Sequence, residues 1–207
     1  MPKARIDLHK VKNSFDENMT IHCNDDEFGI NKKICFFGDK DKVLKFSLQT
    51  ESWQLIELEN QPEIKYYSAS VSLPNGEILI SGGGKSRKSY IYNEKTNTFR
   101  IIAKLNEARK EHAEVRINDH VYVIGGFNMT IKSFLSSTER YDFTENKWIY
   151  VEKLNIGRCA FAACSLNNEY ILVCGGYDGK KRLDSIEIYQ PNKNIWTLHK
   201  MKLQMAL

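Results

Sequence analysis

The stretch Val121-Tyr122-Val123-Ile124-Gly125-Gly126, followed by Ser137-Thr138-Glu139-Arg140-Tyr141 and then by Trp148, decides how this chain folds. Residues 121–124 are β-branched or aromatic and read as a short buried strand. Gly125-Gly126 ends it abruptly, because both residues are free to adopt positive φ. Residues 137–141 read as a second strand, and Asp142-Phe143-Thr144-Glu145-Asn146 as the turn that leads to Trp148.

The unit recurs. Ile78-Leu79-Ile80-Ser81-Gly82-Gly83 is followed by Tyr90-Ile91-Tyr92 and Phe99, and Ile171-Leu172-Val173-Cys174-Gly175-Gly176 by Ile186–Tyr189 and Trp196. A weaker copy runs through Ile34-Cys35-Phe36-Phe37-Gly38, Phe46 and Trp53, with Asp39 in the place of the second glycine. Phe46, Tyr92, Tyr141 and Tyr189 lie 46, 49 and 48 residues apart, and each is followed seven residues later by Trp53, Phe99, Trp148 or Trp196. An offset of seven on one strand would put the two rings on opposite faces, so they belong to neighbouring strands of a hairpin. Asn97, Asn146 and Asn194 fall two before the large aromatic, where a left-handed turn residue is expected, and Glu51 takes that place in the first copy.

A further strand precedes each glycine strand, over 67–73, 112–117 and 161–166, joined by the turns Pro74-Asn75-Gly76, Asn118-Asp119 and Asn167-Asn168. Each unit is thus four short strands in about 48 residues, with no helical period. One such sheet cannot bury both faces alone, so copies must stack about an axis. The expectation is an all-β chain of about four blades of four antiparallel strands. An irregular lead-in occupies 1–30, with strand character only at 19–23. The repeats cover approximately 31–60, 66–105, 111–154 and 159–201, and residues 204–207 read as the start of a truncated fifth repeat.

These residues resemble the kelch-repeat β-propellers, the fold shared with galactose oxidase, over roughly residues 30–200. The marks are the glycine pairs, the Tyr and Trp or Phe seven apart, and Arg109 and Arg158 opening the next strand. The resemblance implies that Gly82, Gly83, Tyr92, Phe99, Gly125, Gly126, Tyr141, Trp148, Gly175, Gly176, Tyr189 and Trp196 build the blades. It also implies more than four blades in a closed ring, with partners docking on the loops after the glycine pairs and before the innermost strands. Three such loops carry cations: 85–88 with Arg87 and Lys88, 128–134 with Lys132 and Phe134, and 178–182 with Lys181 and Arg182. Those six residues are the expected partner-binding set, with Phe134 as an exposed aromatic and an acidic peptide as the fitting ligand.

Composition narrows the function. Lys and Arg number 30 against 26 Asp and Glu, with the signs interspersed, which gives no nucleic-acid footprint. No apolar run reaches membrane-spanning length, and Met1-Pro2-Lys3-Ala4-Arg5 leads into polar sequence rather than a signal core. The five cysteines lack C-x-x-C spacing and read as reduced, so a cytoplasmic protein is expected and the sequons at Asn18 and Asn128 carry no weight. The five histidines are isolated, Gly82-Gly83-Gly84 lacks the Lys-Ser/Thr of a phosphate loop, and no Gly-x-Ser-x-Gly elbow occurs. A non-catalytic protein-binding scaffold without metal or cofactor is therefore expected. The resemblance also admits the substrate-receptor part of a ubiquitin ligase, or a sugar-active oxidase or epimerase.

Overall fold

Four antiparallel sheets, each of four strands, stand side by side in the computed structural model, which describes residues 20–24, 33–37, 42–47, 49–58 and 62–206. The first blade comprises β1 (Thr20–Asn24), β2 (Lys33–Phe37), β3 (Lys42–Ser47) and β4 (Ser52–Glu57). The second holds β5 (Ser68–Ser72), β6 (Ile78–Gly82), β7 (Ser89–Asn93) and β8 (Thr98–Ile102). The third begins with β9 (Ala113–Ile117) and β10 (His120–Ile124). A small hairpin of β11 (Phe127–Asn128) and β12 (Ser133–Phe134) interrupts it before β13 (Thr138–Asp142) and β14 (Lys147–Val151). The fourth is β15 (Ala162–Leu166), β16 (Tyr170–Cys174), β17 (Ser185–Gln190) and β18 (Ile195–Lys202). The described residues contain no helix.

The first blade starts earlier than the repeat boundary read at residue 31. Thr20–Asn24 pairs in unbroken register with Lys33–Phe37, so part of the expected lead-in is a blade strand. Residues 38–41, where Asp39 replaces a glycine, lie outside the described residues, as do 1–19. At the other end Met205, in the stretch read as a truncated fifth repeat, is 69% exposed.

Strands β1, β5, β9 and β15 contact one another in succession and line the axis, and no comparable contact returns from β15 to β1. The described blades form an open arc. Burial follows from this arrangement. Every residue of β6 is buried, since blades press on both its faces, whereas β16 alternates buried and half-buried.

The aromatics seven apart are cross-strand neighbours, as the hairpin argument requires: Phe46 faces Trp53, Tyr92 faces Phe99, Tyr141 faces Trp148 and Tyr189 faces Trp196. Each Tyr–Trp pair leans on the blade before it. The Trp148 indole N–H donates to the Ala103 carbonyl at 3.0 Å, and that of Trp196 to Glu152 at 3.0 Å. Asn97, Asn146 and Asn194 do adopt left-handed backbone, with φ of 55°, 47° and 52°. Their side chains have a second task. Asn146 Oδ1 accepts the Tyr141 hydroxyl at 2.6 Å and the Ala103 N–H at 2.9 Å, and Asn194 repeats this with Tyr189 and Glu152.

Two buried arginines lock the later blades. Arg109 donates to Glu139 at 2.6 Å and to the Gly125 carbonyl at 2.6 Å, and Arg158 does the same to Glu187 at 2.7 Å and Gly175 at 2.9 Å. Asn106 and Asn155 cover the second oxygen of each carboxylate. Buried pairs are expensive to desolvate, and these are tolerated because each charge is hydrogen-bonded on several sides. The carbonyl of Arg158 in turn accepts the Gly126 N–H of the previous blade at 2.8 Å. A Cβ on Gly125 would stand 2.8 Å from that same oxygen, so the glycine is required by close approach as well as by its φ of 55°.

Candidate functional site

The loops after β6, β10 and β16 share one end of the arc with the segments that lead into β5, β9 and β15. There the chain is held in an unusual conformation three times. Tyr67, Glu111 and Ala160, each just before an inner strand, have φ of 57°, 53° and 51°. Such backbone is costly for residues with a Cβ and persists only where its surroundings enforce it. The enforcement is visible: the Glu111 N–H donates to the Tyr67 carbonyl at 3.1 Å and the Ala160 N–H to the Glu111 carbonyl at 2.9 Å. Successive blades are thereby stitched together around the mouth of the axis.

Aromatic rings gather at this mouth. Tyr66 and Tyr67 meet edge to face at 5.4 Å and are 39% and 47% exposed. Lys110 Nζ lies 5.0 Å from the Tyr67 ring and 5.9 Å from the Phe127 ring, and pairs with Glu111 at 2.9 Å. Tyr177, 40% exposed, packs edge-on against Phe134 at 5.4 Å. Burial and the neighbouring Glu111 push the Cys159 thiol up to about 12, which leaves it protonated and unreactive.

Of the residues expected to bind a partner, Arg87, Lys88, Lys132, Lys181 and Arg182 are all exposed on these loops. Lys132 sits near the tip of the β11–β12 hairpin with φ of 52°, and Arg87 reaches the Asn106 carbonyl at 3.2 Å. Phe134 requires correction. It is half-buried rather than exposed, wedged between Phe127 at 4.8 Å and Tyr177, with its ring against Gly179. It joins the loops of blades three and four from beneath. The open rings are Tyr66, Tyr67 and Tyr177. Sequence reading passed over them because Tyr67 was counted as a strand residue and Tyr177 simply follows a glycine pair.

A second cluster is buried between blades two and three. The Ser81 hydroxyl donates to Glu114 Oε1, and His112 Nε2 lies 3.3 Å from Ser81 Oγ. Burial pushes the Glu114 carboxyl up to about 8, and burial together with the Arg109 charge holds His112 well below the usual imidazole range. The residue types are those of a hydrolase triad, but the order is wrong: among the described residues His112 Nδ1 has no hydrogen-bond partner, and the serine, not the histidine, holds the carboxylate. With Ser81 at 1% exposure and both partner side chains at 0%, no substrate reaches the hydroxyl. Blade two differs again at Tyr90, which occupies the place of Glu139 and lines a cavity of about 520 Å³ with Leu58, Pro62, Glu63 and Phe99. Among the described residues no three His, Cys, Asp or Glu side chains converge as metal ligands would.

The repeating blades, their glycine turns and their Arg–Glu locks have a counterpart in known proteins. The family model described as the KLHDC2/KLHL20/DRC7 Kelch-repeats domain matches residues 29–206. This chain belongs to the kelch-repeat family. Among curated kelch proteins it is 34% identical over 114 residues to Kelch-like protein 23 of Homo sapiens, covering 55% of this chain and 20% of that protein. It is 26% identical over 178 residues to the kelch repeat-containing protein kel-10 of Caenorhabditis elegans, covering 79% and 30%. The chain thus spans less than a third of the length of these relatives. The solved structure of YjhT superposes with a TM-score of 0.72 at 15% identity, over 91% of this chain and 66% of that one.

Proposed function

We propose that this kelch segment is a non-catalytic protein-interaction module whose loop face takes an extended acidic peptide. The observation that carries the reading is the meeting, on one face, of the open rings of Tyr66, Tyr67 and Tyr177 with exposed Arg87, Lys88, Lys132, Lys181 and Arg182. Aromatic rings give contact area at little entropic cost, and guanidinium groups grip carboxylates through two parallel hydrogen bonds. Acids on the same face are already engaged. Glu63 pairs with Lys65 at 2.5 Å, Glu111 with Lys110, and Asp178 accepts the backbone N–H groups of Lys180 and Lys181. The surplus is cationic.

The test is fluorescence anisotropy with labelled acidic, neutral and basic peptides carrying one aromatic residue. The acidic peptide should bind tightest, and the triple variant Arg87→Glu, Lys132→Glu, Arg182→Glu should weaken it about a hundredfold, from loss of three charge contacts. Equal binding of acidic and basic peptides would remove the proposal.

A second reading is favoured by the match to several Kelch-like proteins. In it the same face holds the substrate of a ubiquitin ligase, for which this segment is the receptor part. Co-purification of the protein with a cullin scaffold would support it, and its absence would leave the simpler scaffold.

A further inference from the structure

We infer that Ser81, His112 and Glu114 form a proton-operated fastener between blades two and three, which holds the mouth of the axis closed while Glu114 is protonated and loosens it when that proton leaves. The fold does not require polar residues at these places. Between blades three and four the same places belong to Ile124, Phe161 and Ala163, which pack in an apolar cluster. The two junctions match in geometry. A Cβ on Gly82 would stand 2.6 Å from the Arg109 carbonyl and 2.7 Å from the His112 ring, and one on Gly125 2.8 Å from the Arg158 carbonyl and 3.0 Å from the Phe161 ring. Glu114 faces Val123 across its ladder as Ala163 faces Val173. One junction thus has a hydroxyl, an imidazole and a carboxyl where the next has three apolar side chains.

The carboxyl sits where a charge is hard to keep. Its side chain is fully buried, as is that of His112, and among the described residues Oε2 has no hydrogen-bond partner. Oε1 accepts the Ser81 hydroxyl across the junction and lies 3.9 Å from His112 Nε2. The facing strands β5 and β6 present no charged side chain, β10 presents Val123, and β15 packs on the other face of β9, against Val115 and Ile117. The charged or titratable groups around Glu114 are Arg109, His112 and Arg116 of its own segment, and Glu139, which lies beyond Val123 in the same row and is paired with Arg109. Lys110 and Glu111 pair with each other. Burial therefore favours the neutral acid, which keeps its proton up to about pH 8.

The fastener lies beside the bonds that hold the mouth. Two residues beyond Ser81 the Gly83 N–H donates to the Arg109 carbonyl at 2.8 Å, and three before Glu114 the Glu111 N–H donates to the Tyr67 carbonyl at 3.1 Å. Glu111 keeps its left-handed backbone only while its surroundings enforce it. An opened junction exposes the carboxyl to water, where it gives up its proton near the ordinary 4.5, whereas the closed junction holds it to about 8. Rising pH therefore favours the open form, by about tenfold per unit between pH 6.5 and 8. Below 6.5 His112 opposes the effect, since it gains a proton on opening. The device belongs to the mouth itself and operates whether or not a peptide docks there.

Native-state hydrogen exchange of the intact chain in low urea, read amide by amide, tests this. The Gly83 and Glu111 amides should exchange through a local opening that is insensitive to urea and grows about tenfold per pH unit from 6.5 to 8, after correction for intrinsic exchange. The Gly126 amide, which donates to the Arg158 carbonyl at the apolar junction, should exchange only through urea-sensitive unfolding. Glu114→Gln keeps the shape of the neutral acid and should remove the pH dependence at Gly83 and Glu111. The triple variant Ser81→Ile, His112→Phe, Glu114→Ala, which gives this junction the residues of the next, should do the same. Equal urea dependence of all three amides at every pH would overturn the fastener. So would a pH-dependent opening that survives in Glu114→Gln or in the triple variant.

Discussion

Glu114 ties stability to pH. Its folded value of about 8 lies above the ordinary 4.5, while that of His112 lies well below the ordinary 6.5. Between pH 6.5 and 8 the folded state keeps a proton on Glu114 that the unfolded chain has lost, so stability falls as pH rises, by up to about 1 kcal/mol per unit. Between pH 4.5 and 6.5 the folded chain still holds that proton while the unfolded chain holds one on His112, and the two effects oppose. Urea titrations from pH 5 to 8 should therefore show a plateau followed by a decline. Glu114→Gln, which keeps the neutral shape, should abolish the decline. The Arg158–Glu187 pair gives a second outcome: Glu187→Ala strands a buried guanidinium and should cost about 3–5 kcal/mol in the same titration, whereas Arg158→Met with Glu187→Leu should recover most of it. Arg158 announces itself in sequence because it repeats Arg109 at a fixed place. Ser81, His112 and Glu114 do not, because the cluster forms only when β6 of one blade meets the approach to β9 of the next.

Elements with an apolar run, a glycine pair and a paired aromatic were legible in the sequence because each signal is local. Three strands lacked that signal. Thr20–Asn24 had strand character at 19–23 but no glycine pair or paired aromatic, and it joins the first blade through its pairing with β2, while the two-residue strands β11 and β12 exist because Phe127 and Phe134 close the loop between them. The same loop shows why Phe134 was misread, for its burial comes from Tyr177 and Gly179 of the next blade. Turn geometry is testable at Gly125. A methyl group there meets the Arg158 carbonyl at 2.8 Å and the Phe161 ring at 3.0 Å in left-handed backbone. Gly125→Ala should therefore lower stability by about 1–3 kcal/mol and lower the thermal midpoint in a melting scan. Gly179→Ala would instead press on the Phe134 ring at 2.6 Å. Its φ of 95° also strains any added side chain, so the substitution should both perturb peptide binding in the anisotropy assay and lower the thermal midpoint.

At the scale of the molecule, the face proposed to bind peptide and the faces that stack are separate. Peptide affinity on the loop face should fall steeply with ionic strength, losing about tenfold between 50 and 300 mM salt, because the cations there are exposed and screened. Melting of the blades should respond little over the same range, since the Arg109–Glu139 and Arg158–Glu187 pairs are shielded from solvent. Thermal scans and anisotropy in parallel would show the two responses diverge. The fold was legible because it is local pattern repeated. The proposed binding face was legible only as charged loops, because its open rings come from blades two and four.

The backward lean of the aromatic pairs in blades two to four has a consequence for synthesis. Tyr92 rests on Phe37, Trp148 hydrogen-bonds to Ala103, and Trp196 to Glu152, so each blade is anchored to residues translated before it. A chain emerging from the ribosome meets its docking partner already folded. The nascent protein then grows one blade at a time, with a single sticky surface at its leading edge.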